Sequence, residues 1–144
     1  MPQSSASRLT WEKCAYSSVG QAKLNSFTLC RNIYYFHIAL EEFFAARCGI
    51  SYPRLMADER IGFPTVSTQA EFFVPLVYGD ELDVEMFVSR VGNTSATFEY
   101  RALRASDQTL CVQATQIHVA MNLDTRRPLS LPAKYRRAFA ESAR

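Results

Sequence analysis

The spacing of hydrophobic residues changes once along this chain, from a helical period to a strand period. Residues 31–49, RNIYYFHIALEEFFAARCG, carry apolar residues three and four positions apart, as one face of a buried helix does. These residues are Ile33, Phe36, Leu40, Phe43 and Phe44. Gly49 follows the last of them and Pro53 comes shortly after, where a helix commonly ends. The pattern predicts one long apolar helix over residues 31–48.

From residue 64 onward, apolar residues alternate with polar ones, which is the period of a half-buried β-strand. The turn-forming triplets and pairs YGD, GN and SDQ interrupt this alternation. The sequence therefore predicts a curved antiparallel meander. Its strands are PTVSTQAEFFVPLVY, with Pro75 at an edge or bulge, ELDVEMFVSRV, TSATFEYRALRAS and TLCVQATQIHVAMNL. A further strand is predicted over residues 9–18, a helical turn in RLMADE, and a short basic helix in the tail LPAKYRRAFAESAR.

A long sheet with one apolar face has to bury that face, and the predicted helix is the largest apolar element available to cover it. We therefore predict an α+β fold in which a curved antiparallel sheet wraps round one long central helix, with residues 1–144 forming a single domain. The helix is also apolar away from its main stripe, at Tyr34, Tyr35, Ile38 and Ala45. A second subunit would cover this additional surface, so we expect a two-fold symmetric homodimer or homotetramer.

Composition and charge narrow the possible functions. Hydrophobic residues make up 48% and charged residues 21% of the chain, which is typical of a globular domain. The net charge of +2 is too small to indicate nucleic acid, and no apolar run is long enough to span a membrane. The N-terminal segment lacks the hydrophobic core of a signal peptide, and the cysteines have no metal-ligand spacing. We expect a cytoplasmic protein with no cofactor, no metal, and no nucleic-acid or membrane partner.

Three segments of the chain, taken together in their order and spacing, form a pattern that can be compared with a known protein family. They are the helix NIYYFHIALEEFFAARCGI, the stretch ERIGFPTVSTQAEFFVPLVYGDELDVEMFVSRVGNTSATFEY and the ending LDTRRPLSLP. Together they resemble the hotdog-fold acyl-CoA thioesterases, particularly the 4-hydroxybenzoyl-CoA thioesterase type, over about residues 19–131. The resemblance implies a hotdog fold and hydrolysis of an acyl-CoA or acyl-carrier-protein thioester. It also implies that backbone N–H groups at the helix start polarise the thioester carbonyl, here near Leu29, Cys30, Arg31 and Asn32.

The chain departs from this family just before the helix. The family carries an aspartate there that acts as nucleophile or general base, but ungapped alignment of GQAKLNSFTLCRN puts Lys23 at that position and Gln21 at the preceding acidic one. An ammonium group cannot replace a carboxylate base unless its pKa falls by several units. Lys23 is therefore either an electrostatic clamp for an anionic acyl group or a solvated loop lysine.

Other residues of the helix are candidates for the missing base. His37 and Glu41 are four residues apart on one helix face with Tyr34, so they can pair and give an oriented carboxylate. Glu42 is a second candidate, and the alternative is that this face is solvated or forms a subunit contact. The thiol of Cys30 would have a lowered pKa if it faced the site, and is otherwise a small buried group.

The remaining site residues follow from the resemblance. It implies that an acyl pocket, to which Tyr34 and His37 also contribute, lies opposite the helix start of a partner subunit. The segment that lines this pocket is Phe63, Pro64, Thr65 and Val66. The segment that corresponds to the family's CoA-phosphate site comprises Arg90, Gly92, Asn93, Thr94 and Ser95, of which only Arg90 is charged. Backbone amides of the GN turn are its candidate phosphate donors. His118 is expected to be a core or interface histidine.

Two functions of different classes fit these observations. The first is hydrolysis of an acyl or aroyl thioester with a non-standard base, the carbonyl being polarised at the helix start. The second is a non-hydrolytic hotdog protein that binds acyl thioesters or serves in an assembly. A dehydratase-like activity is a weaker third alternative, because the motifs of that branch are absent from the sequence.

Overall fold

A computed structural model describes the backbone of residues 5–9, 29–75 and 80–143, with side chains described from residue 35 onward. Its elements, in chain order, are β1 Ser5–Leu9, α1 Leu29–Arg47, α2 Tyr52–Asp58, β2 Ile61–Gly62, β3 Thr65–Phe72, β4 Leu82–Val91, β5 Ser95–Arg104, β6 Leu110–Val119, β7 Met121–Asn122, β8 Arg127–Pro128 and α3 Ala133–Glu141. None of the helices in these ranges is long and apolar enough to cross a membrane.

The sheet is antiparallel throughout, in the order β1-β4-β5-β6-β3, and a small second sheet has the order β2-β7-β8. The predicted meander is confirmed for β4, β5 and β6. It is wrong for β3, which pairs with β6 at the far edge instead of with β4. Nine residues, 73–81, separate β3 from β4, which is too many for a tight hairpin, and β4 lies between β1 and β5, three places from β3 in the sheet. Pro75 lies in this connection, after the end of β3.

Two features at the N-terminal side differ from the pattern or lie beyond it. A strand at Ser5–Leu9 pairs with β4, whereas the strand predicted over residues 9–18 lies, beyond Leu9, outside the described part of the chain and stays a prediction. The central helix starts at Leu29, two residues earlier than the apolar pattern indicates. This difference follows from the polar connection before the helix, whose lack of apolar periodicity gives no signal for the first turn.

The apolar stripe of α1 forms the centre of the core, as the sequence predicts. Phe36, Leu40, Phe43 and Phe44 are each at most 1% exposed. The ring of Phe36 stacks on Tyr100 of β5 at 4.8 Å between centroids, and Phe43 meets Phe98 of β5 edge-on at 6.0 Å. The inward residues of the sheet that cover this stripe are Val84, Met86, Val88, Phe98, Tyr100, Ala102, Val112 and Ala114. The helix is thus held on the concave face of the sheet.

The second apolar arc of α1 is only partly available to another subunit. Tyr35 is 3% exposed within the single chain, so it needs no partner to bury it, because the curved sheet covers more than one arc of the helix. Ala45 is exposed and Ile38 is partly buried. The side chain of Tyr34 lies outside the described residues. The helix alone therefore gives a weaker argument for a second subunit than its sequence indicates.

The C-terminal helix α3 closes the open end of the core. Its predicted helical character is confirmed, and its apolar face buries Tyr135 and Phe139 completely. The ring of Phe139 lies 5.3 Å from Phe98, 5.8 Å from Phe63 and 5.9 Å from both Phe43 and Phe44. The basic residues of the tail occupy the rest of the helix surface. This short helix is therefore part of the fold's core.

Replacing Phe139 by alanine should lower the free energy of unfolding by about 3–5 kcal/mol, because the side chain fills the centre of an aromatic cluster that cannot collapse around a cavity. Urea unfolding followed by circular dichroism measures this loss. The control is Arg137→Ala on the exposed side of the same helix, which should stay within about 0.5 kcal/mol of the parent. Equal effects of the two substitutions would contradict the assignment of α3 to the core.

Candidate functional site

The start of α1 carries the predicted carbonyl-binding amides. The helix begins at Leu29, so Cys30, Arg31 and Asn32 lie in its first turn, and that turn contains no acidic residue. The first N–H groups of a helix have no partner within the helix, and the helix dipole places about half a positive charge there. Their backbone geometry therefore suits an oxyanion. Lys23 and Gln21, as well as the side chains of these first-turn residues, lie outside the described part of the chain.

The predicted pair on α1 forms. The Nε2 atom of His37 lies 3.0 Å from Oε1 of Glu41, and the two side chains are 46% and 43% exposed. The ring of His37 also meets Tyr52 of α2 edge-on, with 5.6 Å between centroids. The pair is thus oriented from two sides: by its own hydrogen bond and by the aromatic ring beside it. Its catalytic role remains a prediction.

Distance along the helix separates this pair from the helix start. Glu41 follows Leu29 by twelve residues, which at a rise of about 1.5 Å per residue corresponds to roughly 18 Å. A glutamate side chain is too short to bridge that length. Within one protomer, Glu41 therefore cannot act on a carbonyl that is bound by the amides at the helix start. The two features can only serve one substrate if they come from different protomers.

The predicted acyl-pocket segment divides into one buried residue and three exposed ones. Phe63 is 3% exposed and packs 5.1 Å from Phe44, so its ring belongs to the core and does not line an open pocket, contrary to the prediction. The reason is that the segment enters β3 from beneath α3, whose aromatic residues enclose the ring. Pro64, Thr65 and Val66 are exposed, as pocket-lining residues of an interface would be.

The peptide group of Phe63 is bound by side chains from both sides. Its N–H donates to the hydroxyl of Tyr52 at 3.1 Å, and its carbonyl lies 3.0 Å from Nδ1 of His118. The hydroxyl of Thr65 is 3.3 Å from the same nitrogen. Since a carbonyl only accepts, Nδ1 of His118 carries the proton, and Nε2 is then an acceptor. Tyr52 thus touches both His37 and the Phe63 peptide, and it brings two predicted parts of the site together.

Sequence reasoning missed Tyr52 and gave His118 only a structural role. His118 is 2% exposed and pairs with Thr65 across β3 and β6, as expected for a core residue. Burial lowers its pKa to about 4, although the hydrogen bond to the carbonyl of Phe63 opposes this shift and His37 adds to it. The ring is therefore neutral at physiological pH. No periodicity or motif distinguishes Tyr52, because its function depends on a contact eleven residues away.

Backbone groups of the turn that is predicted to hold CoA phosphates already form hydrogen bonds within the protein. The N–H of Gly92 donates to the carbonyl of Ser95 at 2.7 Å, so this amide is not available to a phosphate, contrary to the prediction. The carbonyls of Gly92 and Asn93 each accept from the guanidinium of Arg136 at 3.0 Å. Thr94 accepts from the N–H of Ala120. Arg136 of α3 is thus a second cation near this turn, besides Arg90. The sequence does not predict this contact, because Arg136 lies more than 40 residues after the turn.

Comparison with known proteins identifies the family of this fold. A family model described as the thioesterase-like superfamily matches residues 24–139, which is well over half of the chain. The chain therefore belongs to the thioesterase-like superfamily. This confirms the resemblance that the helix and strand segments indicated.

Individual relatives are more distant. A 1,4-dihydroxy-2-naphthoyl-CoA hydrolase from Picosynechococcus sp. is 25% identical over 88 residues, which cover 58% of this chain and 60% of that protein. The chain thus spans less than two thirds of the length of this curated relative. A 1,4-dihydroxy-2-naphthoyl-CoA thioesterase from Synechocystis superimposes with a TM-score of 0.79 at 17% identity, over 96% of each chain. A DHNA-CoA thioesterase from Staphylococcus aureus gives 0.80 at 15% identity, over 96% of this chain and 89% of its own. At such identities the solved structures establish the fold, which is the hotdog fold.

The buried His118 makes a prediction for stability against pH. An unfolded histidine titrates near its ordinary value of 6.5, whereas folded His118 titrates at about 4. As the pH falls, the unfolded chain binds this proton first. The stability that neutral, buried His118 contributes is therefore fully present above about pH 6.5. It is lost as the pH falls towards 4, and the free energy of unfolding decreases by on the order of 3 kcal/mol. Urea unfolding at a series of pH values should show this decline.

The matched control is His118→Asn, which keeps a donor near the Nδ1 position but does not titrate. His37 is the other histidine of the chain, and it remains in this variant. The decline between pH 6.5 and 4 should therefore become shallower in His118→Asn. An unchanged slope would mean that His118 does not cause it.

Proposed function

We propose that the protein hydrolyses an acyl-CoA or acyl-carrier thioester, whose carbonyl is polarised by the backbone amides at the start of α1. The observation that carries the proposal is the helix start itself: within a thioesterase-like fold, α1 begins at Leu29 and has no carboxylate in its first turn to compete for those amides. Each oriented donor of this kind contributes roughly 3 kcal/mol to the stability of an oxyanion in the transition state.

The reaction needs a base as well as an oxyanion site. Water attacks the carbonyl carbon while the base takes its proton. The carbon–sulfur bond then breaks and the base returns the proton to the leaving thiolate, so that the thiol and the carboxylic acid are released and the base is regenerated. Lys23 at the position of the family's aspartate makes the usual base absent. We assign this role to Glu41, oriented by His37, acting on a carbonyl bound at the helix start of the partner protomer. The 3.0 Å contact of the pair and the length of α1 between the two features support this assignment.

The named relatives favour CoA as the thiol. The proteins from Picosynechococcus and Synechocystis are a 1,4-dihydroxy-2-naphthoyl-CoA hydrolase and thioesterase, so an aromatic acyl-CoA is one substrate to be tested. The engaged Gly92 amide argues against phosphate binding by the turn backbone, and leaves Arg90 and Arg136 as the cations near it. We therefore propose a CoA thioester as the substrate class, and the panel of thioesters described below identifies the acyl group.

The exposed edge of β3 supports a two-subunit assembly as part of this proposal. This strand is eight residues long, ends the sheet order, and is exposed at nearly every position. Val66, Phe72 and the adjacent Phe73 are 60%, 51% and 52% exposed. A long edge strand with a single charged residue and exposed apolar side chains is a template for pairing with another strand. We propose a second copy as its partner. In antiparallel pairing of two copies, Glu71 would face its own copy only if the symmetry axis passed through that residue. Every other register avoids repulsion between like charges.

A non-hydrolytic acyl-thioester-binding protein is the second candidate function. The specific observation in its favour is Lys23 in place of the catalytic aspartate. Such a protein would keep the carbonyl-binding amides and the pocket but would lack turnover. The assay described next distinguishes the two functions.

Purified protein should release thiol from at least one member of a panel of alkyl-CoA and aroyl-CoA thioesters. Glu41→Gln should reduce kcat by about 100-fold or more, as loss of a general base does. The matched comparison is Glu42→Gln, the neighbouring exposed glutamate and the second candidate base, which should keep the parent rate if Glu41 is the base. Lys23→Asp should raise the rate if the family's geometry is retained. Binding of these thioesters without turnover would favour the second candidate function instead.

Light scattering at micromolar concentration should give at least twice the chain mass of 16.3 kDa. Val66→Lys places a charge at the proposed interface and should shift the protein towards the monomer. Met56→Lys is the matched control, since Met56 is also an exposed apolar residue, at 38%, but lies on α2 away from the β3 edge. A monomeric parent protein, or an equal effect of both substitutions, would rule out the β3 dimer.

A further inference from the structure

The segment between β2 and β3 lies where the chain leaves one sheet and enters the other. Gly62 is the last residue of β2 in the small sheet, and Thr65 is the first residue of β3 in the large one. At such a junction, the peptide of Phe63 is supported by side chains in place of a strand ladder. Tyr52 accepts its N–H at 3.1 Å, and His118 donates to its carbonyl at 3.0 Å. The position of this peptide therefore depends on two residues from different elements.

A β-bulge follows immediately. Thr65 pairs with His118 and Ser67 pairs with Ile117, so Val66 is the extra residue in β3. A bulge turns its side chain out of the regular alternation and is common beside functional sites. Val66 is 60% exposed, like its neighbours in β3, whereas Phe63 three residues earlier is enclosed in the core. The anchored peptide and the bulge together mark the point at which the chain passes from the core to the exposed edge strand.

One of the two anchoring residues, Tyr52, also contacts His37, the partner of the proposed base. The ring of Tyr52 lies 5.6 Å from that of His37, which holds Glu41 at 3.0 Å. Tyr52 therefore contacts α1 on one side and the Phe63 peptide on the other. On the opposite side of that peptide, His118 is packed edge-on against Phe98 at 5.2 Å, which leaves its ring little freedom to turn. The connection from Glu41 to the exposed residues 64–66 consists of direct contacts throughout.

His118 has a feature that a purely structural residue would not need. Its Nε2 atom is buried and has no hydrogen-bond partner among the described residues. A buried unpaired acceptor lowers stability, so an apolar residue would serve better if only packing mattered. What the ring supplies is the Nδ1 donor to Phe63.

We propose that Tyr52 and His118 are positioning residues that hold the Phe63 peptide and thereby place residues 64–66 against the acyl group of the substrate. The inference rests on the proposed function for the identity of the ligand, but the anchoring itself does not depend on hydrolysis. Removing either hydrogen bond should let residues 64–66 shift and should weaken acyl binding. It should leave the chemistry at the carbonyl nearly unchanged, because neither residue contacts the reacting atoms.

Three variants of the full chain test this. Tyr52→Phe removes the acceptor, His118→Leu removes the donor, and His118→Asn restores a donor near the Nδ1 position. For the first two, KM for the best thioester of the panel should rise roughly three- to tenfold, as expected for one lost hydrogen bond, while kcat changes less than about twofold. His118→Asn should recover most of the parent KM. Tyr100→Phe is the control, because the buried hydroxyl of Tyr100 has no hydrogen-bond partner among the residues that the structure describes.

A second readout separates this inference from the proposed function. Binding of a non-hydrolysable thioether analogue of the acyl-CoA, and the amide NMR shifts of residues 65 and 66, can be measured whether or not the protein turns over. The expected result is weaker analogue binding and shifted amides in Tyr52→Phe and His118→Leu, with recovery in His118→Asn. This result would support the anchoring even if no thioester is hydrolysed.

Two outcomes would overturn the inference. In the first, Tyr52→Phe keeps the parent values of KM, analogue binding and amide shifts. In the second, His118→Asn behaves like His118→Leu, so that the donor does not matter. If His118→Leu fails to fold, Tyr52→Phe and His118→Asn still decide the question, since each removes or keeps a single hydrogen bond with little change in volume.

Discussion

Burial of α1 in the concave face of the antiparallel sheet is the interaction on which the rest of this structure depends. Phe36, Leu40, Phe43 and Phe44 fill the space inside the sheet, and Phe139 from the C-terminal helix closes its end. A helix held along its length in this way has a fixed axis. Its N-terminus, where unpaired amides and the positive end of the dipole coincide, is therefore fixed as well.

The same packing is why the proposed site would need two copies of the chain. A rigid helix keeps its first turn and the His37–Glu41 pair roughly 18 Å apart, so no flexibility within one protomer brings them together. The sheet leaves β3 at its edge with apolar side chains exposed. Pairing of that edge with a second copy is our proposal for how the separated parts meet. Oligomerisation would then be a condition for catalysis and not only for stability.

The sequence predicts much of the fold, but only some of the contacts within the candidate site. Periods of 3.6 and 2 predict α1 and the strands β4, β5 and β6, because burial of one face requires those periods. The pairing of His37 with Glu41 follows from their spacing on a helix. The position of β3 does not follow, because strand order depends on which edge a connection reaches. The burial of Phe63 was also missed, since it depends on α3, which lies far along the chain.

The sequence by itself determines the helix, the meander of β4 to β6 and the family. These are properties of local spacing and residue identity. Only the tertiary structure decides that Tyr52 and His118 meet on the Phe63 peptide and that Arg136 occupies the carbonyls of Gly92 and Asn93. Such contacts join residues that are 11 to 55 positions apart, and no periodic pattern encodes them. They arise because close packing leaves each buried polar group only the partners that the fold brings within reach.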